Sequence, residues 1–186
     1  FGDCNDNGIP DECEDLQDWD GNGVADACEG LIVYNTTSGE GFTGWSDAIA
    51  AANDNDLLWV DAQAISKRSI NSYGGKAIMV DVKNGSVDNA GFAMADSSQL
   101  ALESDSHLNA LSSGTSGTAQ VQGNHIHVDG MTTVYRDSSL EFSAEDHSHL
   151  QDVSMRMGSE LGTTGDFAGD GTWVCAEGSA IYANEL

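Results

Sequence analysis

The sequence predicts an all-β protein: a parallel β-helix of about six turns of ~20 residues, entered through a short helix and preceded by an acidic module. Three observations predict it. The stretch DSSQLALESDSHL at 96–108 recurs as DSSLEFSAEDHSHL at 137–150, and more faintly as EGSAIY at 177–182. The spacings of 41 and 40 are two coils each. Candidate strands begin near Lys76, Ser97, Gly117, Ser138, Gly158 and Gly178, each short and alternating with small polar residues at the corners. No long helical pattern follows residue 53, and the one proline is Pro10. A sandwich or barrel would share the short strands but not the steady period.

The first element, at 1–30, is the acidic module. Residues 3–29 read DCNDNGIPDECEDLQDWDGNGVADACE and hold ten acidic residues. Residues 3–14 repeat at 18–29. Asp3, Asn5, Asn7, Asp11 and Glu14 fall on Asp18, Asp20, Asn22, Asp26 and Glu29, Gly8 on Gly23, and Ile9 on Val24. Side-chain oxygens thus occupy positions 1, 3, 5, 9 and 12 of each repeat, with glycine at 6 and a main-chain carbonyl on offer at 7. A hard divalent cation takes six to eight oxygens and needs the chain to wrap sharply, which is the ligand schedule of a twelve-residue calcium loop. A solvated acidic linker matches the composition but not the doubled spacing. The expectation is two Ca2+ ions. One is held by Asp3, Asn5, Asn7, Ile9, Asp11 and Glu14, the other by Asp18, Asp20, Asn22, Val24, Asp26 and Glu29.

DCNDNGIPDECE and DWDGNGVADACE resemble thrombospondin type 3 and dockerin-type repeats, in the wider EF-hand-like group. The resemblance covers about the first 29 residues and implies calcium in both loops. Only Asp15, Leu16 and Gln17 separate the loops, so no flanking helices are there to swing apart. A clamp is expected, not a sensor.

The second element, at 31–186, is the coil. Within GWSDAIAAANDNDLLWVDA, at 44–62, a helix is expected near 46–53, capped by Ser46 or Asp47, with Ala48, Ile49 and Ala52 inward. A turn at 53–56 leads to a strand over Leu57–Val60, and GKAIMVDV at 75–82 reads as another. This order resembles the entry into the pectate lyase-like β-helix, which implies a right-handed coil whose helix covers the open end. Inward residues would stack from rung to rung: Ile78, Val80, Leu100, Leu102, Val121, Leu140, Phe142, Leu161 and Ile181.

Charge restricts the partners. A formal net charge of −25 with six Lys or Arg excludes nucleic acid and anionic membranes, and suits salty or calcium-rich extracellular water. Four cysteines fit two disulfides and an oxidising compartment. Cys4, Cys13 and Cys28 lie in the module. Pairing Cys4–Cys13 or Cys13–Cys28 leaves one for Cys175, within the chain or between chains, and three connectivities stay open. The sequence shows no signal peptide and no membrane span, as expected of a processed, secreted protein without membrane insertion.

His107, His127 and His147 are spaced by 20, so a regular coil would stack them, with His125 and His149 two residues away on the same face. Converging imidazoles suit zinc or copper. A bare ladder of like residues would explain the spacing as well. For catalysis the material is thin. Of Lys67, Arg68, Lys76, Lys83, Arg136 and Arg156, only Arg136, beside Asp137, and Arg156 would meet carboxylates on adjacent rungs. No enzyme is expected. The last strand, in GSAIYANEL, lacks a cap, so a homo-oligomer or head-to-tail polymer is expected. The reading is a secreted, calcium-stabilised structural protein, a filament or cell-surface subunit. The alternative is a β-helix that binds or cleaves extracellular glycans on its side face.

Overall fold

The computed structural model describes residues 17–66, 69–70, 76–95, 97–113, 117–135 and 137–184. Asp3, Asn5, Asn7, Ile9, Asp11, Glu14, Cys4, Cys13, Lys67, Arg68 and Arg136 lie outside them.

After a single helical turn, α1 (Asp26–Glu29), the strands β1 (Val33–Asn35), β2 (Glu40–Phe42) and β3 (Leu57–Asp61) pair antiparallel around β1. The entry helix α2 (Trp45–Ala51) packs on β1 and β2 and buries Ala48, Ile49 and the following Ala52, as the spacing requires. Its N-cap is Gly44, not Ser46 or Asp47. The helix starts at Trp45, which places both polar residues inside its first turn, and no side chain caps it. Its other end is closed from a distance: Lys76 Nζ donates to the carbonyls of Ile49, Ala50 and Ala52 at 2.6, 3.1 and 2.6 Å. A cation there meets the negative end of the helix.

From β3 the pairing becomes parallel and the chain coils. One face runs from β3 through β5 (Met79–Lys83), β7 (Gln99–Leu102), the first parts of β9 (Gly117–Val134), β10 (Ser138–Met155) and β11 (Glu160–Gly169), and β13 (Ala180–Asn184). The other uses β4 (Ser69–Ile70), β6 (Asp88–Ala93), β8 (Ser106–Ser112), the later parts of β9, β10 and β11, and β12 (Trp173–Cys175). A short helix, α3 (Ala62–Ile65), turns the first corner, its N–H groups at Gln63 and Ala64 capped by Asp61. The result is a parallel β-helix of about five turns. That is one turn fewer than the six expected from the strand spacing. No helix among the described residues is long and apolar enough to cross a membrane.

Register builds the core. Leu58, Val80, Leu100, Val121, Phe142 and Thr163 stand in one inward column. All the expected ladder residues are buried except Ile181, which lies on the last described strand and is 37% exposed. The recurring serines turn out to be corners. Ser98, Ser138, Ser159 and Ser179 each donate Oγ to the carbonyl three residues back, at 2.5, 2.7, 2.6 and 2.6 Å. The residue before each is left-handed: Ser97, Asp137, Gly158 and Gly178, with φ of 58, 56, 73 and 79°. A hydroxyl that mimics a turn bond makes such a corner repeatable.

Candidate metal centres

Residues 18–29 fold back on themselves. Asp18 accepts the Asn22 N–H at 3.1 Å and the Gly23 N–H at 2.9 Å, while Asp20 accepts the Asn22 N–H at 3.0 Å. Gly21 and Gly23, at φ of 69 and 88°, supply the left-handed steps of this wrap. The Asn22 amide nitrogen donates to Asp20 at 3.0 Å and to both Glu29 oxygens at 3.1 and 3.0 Å. It tethers two carboxylates as a cation would. Asp26 opens α1, is 5% exposed, and accepts the Trp19 N–H at 3.2 and 3.1 Å. Carboxylate oxygens of Asp18, Asp20 and Asp26 lie within 4.8 Å of one another. Five expected ligand residues therefore come together. The sixth, Val24, donates its N–H to Asn22 Oδ1 at 2.7 Å, and its side chain is exposed.

The electrostatics of this loop favour a positive guest. Burial pushes the Asp26 carboxyl above its usual range. The Trp19 N–H opposes this, and the charges of Asp20, Asp18 and Glu29 add to it. Packed like charges can be relieved by a proton or by a cation.

The histidines lie on the outward face of β8, β9 and β10. Pairing sets His107 beside His127 and His127 beside His149, while His125 pairs with His147, which in turn pairs with Asp166. The column is thus His107–His127–His149, not His107–His127–His147. The cause is a bulge in β10 between Ala144 and His147, across which the rung offset grows from 21 (Ala144 on Gly123) to 22 (His147 on His125). The rings of His107 and His127 stack at 4.5 Å with planes 7° apart. His127 lies 5.9 Å from His149 and 6.0 Å from His147, centroid to centroid.

Three carboxylates attend these rings. His107 Nδ1 meets Asp129 at 2.7 Å, His125 Nδ1 meets Asp105 at 2.6 Å, and His149 Nε2 lies 3.5 Å from Asp170. Ring nitrogens of His107 and His127 and a carboxylate oxygen of Asp129 all fall within 4.8 Å of one another. Burial, with the neighbouring His107 ring next, holds His127 below the ordinary imidazole range. Asp129 pulls the other way, and His149 and His147 add to the depression. Sequence reasoning missed Asp105, Asp129 and Asp170. The pairs Asp105-x-His107 and His127-x-Asp129 were its available signal, since alternate residues of a strand share a face.

Elsewhere, Gln99, Gln120, Glu141, Gly162 and Tyr182 form an outward column on the first face. Around Gly162 lies an open groove of about 440 Å3, lined by Gln120, Gln122, Glu141, Thr164 and Tyr182 among others. Cys175 is a free, exposed thiol whose Sγ lies 3.7 Å from Met155 Sδ. No family model, curated protein or solved structure matches the chain.

Proposed function

We propose that this chain is a secreted, calcium-stabilised structural β-helix that works as a subunit of an extracellular filament or cell surface. The observation that carries the reading is the convergence of Asp18, Asp20, Asn22, Asp26 and Glu29 in a loop whose spacing Asp3, Asn5, Asn7, Asp11 and Glu14 repeat. Each loop takes one Ca2+. On binding, the ion takes over the bridging between Asp20 and Glu29 that the Asn22 amide performs. The loop is coupled to the coil through Trp19, whose ring meets Trp59 of β3 edge-on at 6.3 Å. Ordering the loop therefore braces the start of the coil.

Support for assembly lies on the late turns. Val174, at 59% exposure, adjoins Cys175 on β12, and Ile181 and Tyr182 are exposed on β13 of the other face. Pairing Cys4–Cys13 or Cys13–Cys28 within the module leaves one cysteine to meet Cys175 of a neighbouring molecule. That contact is head-to-tail and does not close.

Calorimetric titration of the chelator-treated chain should count two Ca2+, and chelation should lower the melting temperature. Asp18→Ala together with Asp20→Ala should leave one ion. A chain that takes up no calcium and melts at the same temperature with and without chelator overturns the reading. For assembly, light scattering in calcium and non-reducing gels should show polymers. A monomer in both removes that part alone. The second reading, a β-helix that binds or cleaves glycans, is favoured by the groove of amides, hydroxyls and Tyr182; retention on an acidic-glycan resin would support binding, and release of reducing or unsaturated sugar would support cleavage.

A further inference from the structure

We propose that the outward face of the second sheet holds one borderline divalent transition-metal ion, of the zinc or copper(II) class, at His107, His127 and Asp129. The coil brings these residues from two adjacent strands to one point. His107 sits on β8, and His127 and Asp129 sit two residues apart on β9, in register with it. Their donor atoms already lie within 4.8 Å of one another. Around a tetrahedral zinc ion donors stand about 3.3 Å apart, so the two stacked rings must tilt out of parallel to aim their lone pairs at one ion, and the 2.7 Å contact of His107 with Asp129 must open around it.

Chemistry selects the class of ion. Two imidazole nitrogens and one carboxylate suit zinc and copper and are poor ligands for calcium. The site is therefore independent of the acidic loop, which offers oxygen alone. Surrounding charge helps: Asp105 stands on His125 and Asp170 faces His149, so the patch carries fixed negative charge on both sides of the pair. His149, next in the column at 5.9 Å from His127, has a buried Nδ1 without a hydrogen-bond partner among the described residues. It supplies either a fourth ligand or the wall behind the ion, and three protein ligands leave a position open to water.

Gly130 keeps the ligand pair in place. A Cβ there would run into the Asn109 carbonyl, so the strand after Asp129 can lie against β8 only with glycine at this position. Around it the pairing of β9 with β8 and with β10 shifts register. The bulge turns Asp129 toward His107 on the adjacent rung, where the 2.7 Å contact is made.

The test titrates the whole, tag-free chain with Zn2+, and separately with Cu2+, in saturating Ca2+ so that the acidic loops are filled. One ion per chain is expected, and the Cu2+ complex should show nitrogen hyperfine structure in its paramagnetic resonance spectrum. His127→Ala should abolish binding, and Asp129→Asn should weaken it by about 10- to 100-fold. His147→Ala, outside the ligand set, should leave it unchanged. Circular dichroism and melting confirm that each variant is folded, and His127→Gln replaces His127→Ala if the alanine variant is not. Failure to bind either ion at micromolar concentration overturns the proposal. So does binding that survives both His127 substitutions. Neither result touches the calcium reading, which is measured on other residues with another ion.

Discussion

A single hydroxyl inside the coil shows how strictly the stack treats each position. Thr132 is fully buried between Leu111 and Val153 in its column, and its Oγ1 has no hydrogen-bond partner among the described residues. A buried hydroxyl without a partner costs free energy that a methyl group does not. Thr132→Val is therefore expected to stabilise the fold by about 1 kcal/mol. Urea unfolding checks it: the midpoint should rise with the slope unchanged. Phe142, between Val121 and Thr163, is the opposite case, since its volume fills the coil where the neighbouring rungs are smaller. The histidines obey the same logic outside. Whether a ring meets another ring or a carboxylate depends on one residue inserted or left out in the strand before it.

At the scale of elements, the turn between α2 and β3 is held by one carboxylate. Asp56 accepts the Asn53 N–H and the Asn35 amide, each at 2.8 Å, which ties the turn to the end of β1. The Asn53 N–H is the larger cause and the Asn35 amide the next in holding its pKa below 3.8, burial working against them. The folded pKa is thus depressed, so the stabilisation is fully present above 3.8 and is lost as pH falls through the folded value. Asp56→Ala is expected to cost about 1–3 kcal/mol at neutral pH. Its melting temperature should also fall less steeply than the parent's below about pH 4, as thermal melts from pH 7 to pH 3 would show. If both chains lose stability in parallel, the acid sensitivity resides elsewhere.

Across the whole molecule, like charge adds a further force against folding. A net −25 on 186 residues repels itself, and the coil spreads that charge over a lengthwise surface instead of hiding it. Screening should therefore stabilise the protein. In chelator, raising sodium chloride from low to molar concentration should lift the melting temperature by several degrees, and calcium should achieve more at far lower concentration. Equal effects of the two salts at equal ionic strength would mean that screening alone, without specific loops, accounts for the calcium response.

Much of this was legible in the residues. The period near 20, the alternating strands and the inward ladder follow from local pattern, because side-chain direction in a strand is set by parity alone. The repeat's offset of 41 sets Leu100 against Glu141, whereas the sheet sets it, through Val121, against Phe142. The repeat is one residue short, yet Leu100, Leu102, Leu140 and Phe142 are all buried as expected, because alternation within each strand, not the repeat, picks the inward face. The fold-back of residues 18–29 is likewise a local event, while residues 3–14 lie outside the described residues. The histidine column was not. It depends on a bulge in β10, on the strand offset it creates, and on carboxylates from neighbouring rungs. Register between strands is decided by how distant segments pack against one another, and only the tertiary structure records it.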